Sequence, residues 1–189
     1  SGAAVDVTGT ISGEFNEGDV VTLTLNGTDY IGAVAADGTW VIAVAGSDLA
    51  AATSLDVSVT TTDAAGNSTT QTTTHGYGVD TTAPELTVSV DAITSDNVIN
   101  AAESGAETIA VTGVVVAEAG ASTTVTVTVN GQEYTATVDV AAGTWTVDVA
   151  TDDLLADSSV AVSATSTDTA DNATTTTATH GYSVDVEAP

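Results

Sequence analysis

The chain has 189 residues, of which 42% are hydrophobic, and it carries 26 Asp and Glu residues against no Lys or Arg, for a formal net charge of -26. Such a surface repels phosphates and anionic lipids, which excludes nucleic acid and direct membrane contact as expected partners. The hydrophobic fraction is too high for a disordered acidic chain, so the sequence predicts a folded protein whose carboxylates are screened by salt or bound cations.

Oxygen atoms are the metal ligands that this composition offers. Cys is absent, which leaves no disulfide framework and no thiolate site for a metal. Carboxylate, amide and carbonyl oxygens are the ligands that Ca2+ prefers, and a calcium-rich exterior would suit the chain. No signal peptide, lipidation motif or run of 18 apolar residues is visible, so we expect an internal segment of a longer protein.

The predicted strands begin with Val21, Leu23 and Leu25, which alternate with Thr and indicate one buried and one solvated face. The Asn-Gly pairs at 26 and 130 predict type I′ hairpin turns. No segment predicts a helix of ordinary length. The second half of the chain shows the same alternation, and it predicts strands at residues 86–90, 109–115, 124–129, 134–140, 145–149, 160–164 and roughly 174–184.

Seven or so short strands per half, with turns about every 8 to 12 residues, favour an antiparallel β-sandwich of immunoglobulin type. The Cys pair of antibody domains is missing, and the single Trp of each half follows a turn late in the strand order. We therefore predict an all-β protein of tandem immunoglobulin-like antiparallel β-sandwich domains. The aliphatic cores are thin, so ion binding is expected to matter for stability.

The two halves are copies of one module. Val7-Thr8-Gly9 recurs 104 positions later, whereas Gly38-Thr39-Trp40 and His75-Gly76-Tyr77 recur 105 positions later, which is consistent with one inserted residue. The predicted domains are residues 1–84 and 85–189. The first lacks a counterpart of residues 85–104, so either its first strand lies upstream or it is a shorter variant.

The joint between the copies, residues 80–103, is rich in acids, and it leads to the first candidate calcium site. Asp80 precedes the second sandwich, and the loop with Asp168 and Asn172 is expected to cap the same end. The counterparts of that loop in the first copy are Asp63 and Asn67. The alternative is that these loops are ordinary hairpin turns, and the two interpretations overlap because a turn can also bind a metal.

The second candidate calcium site is the segment that follows the first strand of the second copy. Its spacing is not that of an EF-hand, and the alternative is a solvated connection between strands. A third group, Asp152, Asp153 and Asp157, ranks below these two as a metal site, and the alternative for it is capping of a helix or turn. The candidate ligands of the second site are Asp91, Asp96, Asn97, Asn100 and Glu103.

Other chemistry has little support in the sequence. One His per copy, at 75 and 180, is a poor transition-metal site without a second His or Cys nearby. The Trp and Tyr residues are expected to pack in cores or at strand edges. No nucleophile elbow, Ser/His/Asp grouping or reactive Cys is present, so neither an enzyme nor a small-molecule substrate is expected.

Residues 79–84 (Val-Asp-Thr-Thr-Ala-Pro), 91–103 and 62–67 (Thr-Asp-Ala-Ala-Gly-Asn), with the period of about 104 residues, resemble the immunoglobulin-like extender repeats of giant repeats-in-toxin (RTX) adhesins of bacteria. This resemblance implies an extracellular array on a bacterial surface, with neighbouring repeats as partners and Ca2+ at the linkers. The implied metal positions are Asp63, Asn67, Asp80, Asp91, Asp96, Asn97, Glu103, Asp168, Asn172 and Asp185.

Two departures from the pattern affect these positions. Asp171 stands where the first copy has Gly66, and Asp185-Val186-Glu187 replaces Asp80-Thr81-Thr82. The expected function is a structural extender that calcium rigidifies, so that a distal ligand-binding region is projected from the cell. The alternative is a ligand-binding module that recognises sugar or ice through its Thr-rich strand faces.

Overall fold

The computed structural model describes residues 3–187, so residues 1, 2, 188 and 189 at the ends of the two predicted domains lie outside the described residues. The chain divides into two compact units, Ser1–Asp80 and Thr81–Pro189. Both units consist of short strands with one five-residue helix each. The predicted fold class, all-β with immunoglobulin-like antiparallel sandwiches, is confirmed.

The described residues of the first unit form six strands. The elements are β1 (Ala4–Thr10), β2 (Val20–Leu25), β3 (Thr28–Ala33), β4 (Thr39–Ala45), α1 (Gly46–Ala50), β5 (Ser54–Thr62) and β6 (Ser68–Gly76). Strands β3, β2, β5 and β6 form one antiparallel sheet in that order, and β1 pairs antiparallel with β4 in a second.

The second unit repeats this order and adds strands at both ends. Its elements are β7 (Leu86–Val88), β8 (Val98–Asn100), a 3-10 turn (Glu103–Gly105), β9 (Thr108–Ala117), β10 (Ser122–Val129), β11 (Gln132–Thr135), β12 (Thr137–Asp139), β13 (Thr144–Ala150), α2 (Thr151–Leu155), β14 (Ser159–Thr167), β15 (Ala173–Gly181) and β16 (Ser183–Asp185). One sheet has the order β11-β10-β14-β15 and the other β12-β13-β9-β7, while β16 pairs parallel with β8.

The alternating apolar residues form the core of each unit, as the period of two requires. Val21 and Leu23 are fully buried in the first unit, and Val125, Val127 and Val129 are fully buried in the second. The second core is also closed by residues that have no counterpart in the first, since Ile93 and Ile99 are 4% and 0% exposed. Segment 91–103 is therefore part of the hydrophobic core and not only a surface connection.

The predicted hairpin turns are confirmed by the backbone. Asn26 and Gly27 have φ of 46° and 81°, and Asn130 and Gly131 have φ of 49° and 74°. Two successive residues with positive φ are what a type I′ turn requires, and Asn and Gly adopt that conformation at the lowest cost.

Two strands that the sequence predicts as continuous are divided in the structure. The segment 134–140 breaks at Ala136, whose N–H donates to the Val125 carbonyl at 2.9 Å, and the chain passes there from the sheet of β10 to the sheet of β13. The segment 174–184 breaks at the buried Tyr182. Alternation continues through both breaks, so the sequence pattern does not reveal them.

Replacement of Ile99 by Ala should destabilise the second unit by about 3 kcal/mol, because the deleted methylenes leave a cavity in a fully buried site. The matched control is Val116→Ala, at a side chain that is 60% exposed and should change stability by less than about 0.5 kcal/mol. Chemical denaturation measures both. Equal losses would contradict the placement of segment 91–103 in the core.

Candidate metal-binding loops

The loop between β5 and β6 is closed by its own acidic residue. The Asp63 carboxylate accepts hydrogen bonds from the N–H groups of Ala65 and Asn67 at 2.9 and 2.8 Å, and the Asn67 side-chain amide donates to its second oxygen at 2.8 Å. Gly66 has φ of +87°, which completes the turn. These bonds, led by that from the Asn67 amide, lower the pKa of Asp63.

The equivalent loop of the second unit has the same geometry. Asp168 accepts from the N–H groups of Ala170 and Asn172 at 2.8 and 2.9 Å, and the Asn172 amide donates to it at 3.0 Å. Asp171, which replaces Gly66, has φ of +64°, a conformation that Asp tolerates better than most residues. The departure from the Gly pattern therefore preserves the turn. The four predicted ligands of these loops lie together in two pairs, Asp63 with Asn67 and Asp168 with Asn172.

In both loops, hydrogen bonds within the turn account for the Asp and the Asn, which is consistent with the hairpin-turn alternative that the sequence left open beside metal binding. A carboxylate offers about four acceptor positions, so the turn leaves capacity for a cation. Asp80, the other member of this predicted site, is exposed and is the last residue of the first unit.

The predicted ligands of segment 91–103 do not form one cluster, and they belong to separate local sets of hydrogen bonds. Asp91 accepts a hydrogen bond from the Thr112 hydroxyl at 3.0 Å, and its own N–H donates to the Thr112 carbonyl. Asp96 accepts from the Thr94 hydroxyl and the Val98 N–H at 3.0 and 3.1 Å, and the Val98 bond is the main cause of its lowered pKa. Asn97 belongs to a different set of contacts.

Asn97 connects its loop to strand β15. Its side-chain oxygen accepts from the Ile93 N–H at 3.2 Å and lies 2.9 Å from His180 Nε2, while its amide nitrogen donates to the Gly181 carbonyl at 2.8 Å. Its φ of +63° is a left-handed conformation that Asn adopts more readily than most residues. Packing and hydrogen bonding thus account for this Asn. The repeated His-Gly-Tyr motif at 180–182 identifies His180 as a recurring residue, but nothing in the sequence assigns Asn97 as its partner.

The remaining ligands of the segment, Asn100 and Glu103, lie where the chain leaves the second unit. Strand β16 pairs with β8 so that Asp185 stands opposite Asn100. The Asn100 side-chain oxygen accepts from the N–H groups of Ala102 and Glu103, and the Glu103 carboxylate accepts from the Asn100 N–H at 3.0 Å. The pairing of β16 with β8 therefore brings Glu103 and the exposed Asp185, which are far apart in the sequence, to the same end of the unit.

The acids of helix α2 and the loop after it are bonded to the hairpin of β10 and β11. Asp153 accepts from the Tyr134 hydroxyl and from the Asn130 amide, and Asp157 accepts from the Asn130 N–H at 2.9 Å. The Tyr134 bond is the largest cause of the lowered pKa of Asp153. Asp157 accepts backbone N–H groups, as the turn-capping alternative expects, whereas helix α2 has no side-chain cap and Asp153 bonds two side chains instead. The sequence did not predict Tyr134 as the partner of Asp153.

Within residues 3–187, no group of three or more His, Asp or Glu side chains lies close enough to bind a metal ion by itself. A calcium ion at any of these loops would therefore also need amide, backbone carbonyl or water oxygens, which Ca2+ accepts with six to eight ligands. Both helices have five residues, and no helix of the described part of the chain is long and apolar enough to cross a membrane.

The aromatic residues pack as the sequence predicts. Trp145 is 1% exposed and donates from Nε1 to the Ser89 carbonyl at 3.0 Å. The Tyr182 hydroxyl donates to the Leu154 carbonyl at 2.6 Å, and burial, with a contribution from Asp157, raises the pKa of Tyr182 to about 12. These polar contacts anchor the ends of the second core.

Solved structures provide the comparison. No protein-family model matches the chain, and none of the curated proteins matches it. A structure described as a Ca2+-stabilised adhesin that helps an Antarctic bacterium reach out and bind ice is 46% identical, with a TM-score of 0.89 over 99% of this chain and 45% of its own. A structure of a 1.5-MDa bacterial ice-binding adhesin is also 46% identical, with a TM-score of 0.82 over 97% of this chain and 58% of its own.

A third structure, an immunoglobulin-like domain from the M. primoryensis ice-binding adhesin, is 47% identical over 52% of this chain and 96% of its own, with a TM-score of 0.48. The chain spans about half the length of the first two structures.

Replacement of Asp168 by Asn should lower the melting temperature at neutral pH by a few degrees, because the turn loses a charged acceptor. Hydrogen bonds lower the folded-state pKa of Asp168 below its usual 3.8, so the stability it contributes is present above pH 3.8 and is lost as pH falls through the lowered pKa. The difference between wild type and variant should therefore shrink below about pH 4.

Thermal melts in EGTA from pH 6 to about pH 2 measure this difference. The control is Asp171→Asn in the same loop, which removes the same charge and leaves the Asp168 acceptor in place. A wild-type advantage that persists undiminished at the lowest pH would contradict the role of the ionised Asp168.

Proposed function

Because this chain belongs to the family of bacterial immunoglobulin-like extender domains found in ice-binding adhesins, we propose that it is a structural extender segment of a bacterial surface adhesin. Calcium bound at the linkers rigidifies it, and a distal ligand-binding region is thereby projected from the cell. The work of the chain is mechanical, and it catalyses no reaction. Its partners are neighbouring repeats of the same polypeptide, on the outside of the bacterium.

The observation that carries this proposal is the charge of -26 with no Lys or Arg, in a chain 46% identical over nearly its whole length to an adhesin described as Ca2+-stabilised. Carboxylates without basic partners repel one another wherever a linker brings them close. A divalent cation removes that repulsion and ties its ligands together, whereas monovalent salt only screens them.

We propose two kinds of calcium ligand. The first is the pair of hairpin turns, with Asp63, Asn67, Asp168 and Asn172, together with Asp80 at the end of the first unit. The turns support this assignment because each holds a carboxylate and an amide within hydrogen-bond distance before any metal arrives. Preorganised ligands lose less conformational entropy when an ion binds.

The second kind is the set of acids in segment 91–103 and at the exit of the second unit. Glu103 and Asp185 are supported by the β8–β16 pairing, which brings the exit strand to the Asn100 turn. Asp91, Asp96 and Asn97 complete the proposed set. Among these, Asn97 has the weaker support, since its side-chain oxygen is engaged by Ile93 and His180.

Each repeat is proposed as one module, with domains 1–84 and 85–189. Extracellular calcium sites commonly have dissociation constants of about 0.1 to 1 mM. At roughly ten times that concentration, one site would stabilise the bound form by about 1.4 kcal/mol. Several sites per chain would therefore be a large fraction of the stability of domains with thin aliphatic cores.

The second candidate function is a module that binds sugar or ice through Thr-rich strands. Strand β6 favours it, because all nine residues from Ser68 to Gly76 are exposed and five of them are Thr. Ice-growth inhibition and glycan binding by the isolated chain test this alternative, which a clear positive result would support against the extender role.

Addition of Ca2+ to the EGTA-treated chain should raise the melting temperature and increase the maximum dimension measured by small-angle X-ray scattering, because ligands at the linker become tied together. Mg2+ at equal concentration should do much less, since it demands octahedral geometry and dehydrates reluctantly. Asp80→Asn should reduce the effect of calcium on the maximum dimension. A maximum dimension and a melting temperature that do not change when calcium is added would contradict the proposal.

The matched control for Asp80→Asn is Asp29→Asn, which removes the same charge from an exposed position on strand β3. Its response to calcium should equal that of the wild type. If both variants lose the response equally, net charge rather than a specific linker ligand governs the effect.

A further inference from the structure

An open groove runs along the first unit, lined by strands β1, β5 and β6. Val7, Ile11, Trp40, Val57 and Val59 give it an apolar floor, and its volume is about 1350 Å³. Pockets for small molecules are usually roughly 300–1,000 Å³. The groove is therefore of a size that suits a polypeptide segment.

In the second unit, a strand of the same chain occupies the place that is equivalent to the groove. There, strand β7 pairs antiparallel with β9, so that Leu86 stands opposite Ala117 and Val88 opposite Val115. Strand β7 also packs against β14 and β15. By the internal repeat, β9, β14 and β15 are the counterparts of β1, β5 and β6, so each wall of the groove has a copy that contacts β7.

Three side chains of the second unit form hydrogen bonds to segment 84–97. Trp145 Nε1 donates to the Ser89 carbonyl at 3.0 Å, and the Thr174 hydroxyl donates to the Pro84 carbonyl at 2.6 Å. His180 Nε2 lies 2.9 Å from the Asn97 side-chain oxygen. These are the side chains that fix the register of the segment on its sheet.

The counterparts of these three residues in the first unit are Trp40, Thr69 and His75, and all three line the groove. Within residues 3–187, none of their side chains has a comparable hydrogen-bond partner. The first unit has thus retained the recognition groups for a segment that its described residues do not contain.

Apolar side chains that line the groove of the first unit are more exposed than their counterparts in the second unit. Val111 and Val115 are 0% and 1% exposed beneath β7, whereas their counterparts Val7 and Ile11 are only half-buried. Strand β15 alternates between exposed and half-buried residues, whereas every residue of β6 is exposed. The more exposed apolar surface of the first unit therefore lies at the position that β7 covers in the second unit.

Strand β1 also has an unpaired edge. In the second unit, β9 pairs with β13 on one side and with β7 on the other, and the Thr112 and Val114 carbonyls accept from the Asp91 and Ser89 N–H groups. Within the described part of the chain, β1 pairs with β4 alone. An open edge of this kind is a template for one more strand.

We propose that the groove of the first unit is a strand-acceptor site for an extended polypeptide segment with the chemistry of residues 84–104. Such a segment offers apolar side chains at alternate positions, backbone carbonyls for Trp40 and Thr69, and an Asn amide for His75. Backbone pairing with β1 supplies affinity, and the apolar positions supply register, as in other cases of strand addition. The groove borders Asp63 and Asn67, and the segment carries Asp91, Asp96 and Glu103, so the site shares residues with the proposed calcium ligands. The strand proposal itself rests on backbone pairing and apolar contacts and does not require calcium.

The direct test titrates the 189-residue chain into a synthetic peptide of residues 81–104 carrying a fluorophore at its amino terminus, with fluorescence anisotropy as the readout. The control peptide carries Leu86→Asp and Val88→Asp, which place charges on the two apolar positions that face the sheet. The native peptide should bind at least about tenfold more tightly, because a buried unpaired carboxylate is costly. Equal affinities, or no binding of the native peptide, would overturn the proposal.

Variants of the chain identify the bound surface. Ile11→Asp on the groove floor should weaken binding of the native peptide by about tenfold or more. Val41→Asp, at a side chain that is 55% exposed on β4, should leave the affinity within about twofold. If both variants bind as the wild type does, the peptide binds elsewhere and the assignment of the groove fails.

A chain that carries the segment covalently tests the proposal even if one of the variants fails to fold. A chain with a copy of residues 81–104 joined ahead of Ser1 should melt at a temperature higher by about 10 °C in its first unit, because a full strand then closes the core. The same extension with Leu86→Asp and Val88→Asp in the added copy should give no such increase. Equal melting temperatures for the two extended chains would overturn the proposal.

Discussion

No Lys or Arg is available anywhere in this chain to balance its 26 acids, and the rest of the structure depends on how they are accommodated. Asp63, Asp168 and Asp157 accept hydrogen bonds from backbone N–H groups. Asn side-chain amides donate to Asp63, Asp168 and Asp153, and the Tyr134 hydroxyl also donates to Asp153.

This constraint explains features that are otherwise unrelated. Thr fills the solvated faces of the strands because it is β-branched, favours the extended backbone and adds no charge. Acids concentrate in turns, where backbone N–H groups are free to donate and each carboxylate is stabilised locally. The same turns hold carboxylate and amide oxygen atoms in fixed positions. The proposed calcium binding uses these oxygen atoms as ligands.

The fold could be predicted because its signals are local. Alternation around Val125 and Leu23 identifies strands, Asn-Gly identifies hairpins, and the repeated motifs identify the duplication. The candidate sites were harder, since their geometry depends on pairing between distant segments. Nothing in the sequence near Asn97 indicates that its amide meets His180, and nothing near Asp185 indicates that β16 lies parallel to β8. The switch of sheets at Ala136 is hidden for the same reason, because alternation continues across it.

The internal duplication also provides a comparison within one molecule. Where the second unit has a strand and a loop that close its core, the first has an apolar groove with the matching residues in place. The two proposals thus concern different features of the chain: the proposed strand would cover apolar surface, and the proposed calcium ions would balance charge.

The central claim is that calcium neutralises carboxylates at the linkers of this chain. Diffraction from crystals grown in excess calcium, with anomalous scattering used to locate the ions, tests it most directly. The account predicts a calcium peak coordinated by Asp80 together with other oxygen atoms of the chain. Well-ordered carboxylates at that linker, with water alone around them, would contradict it.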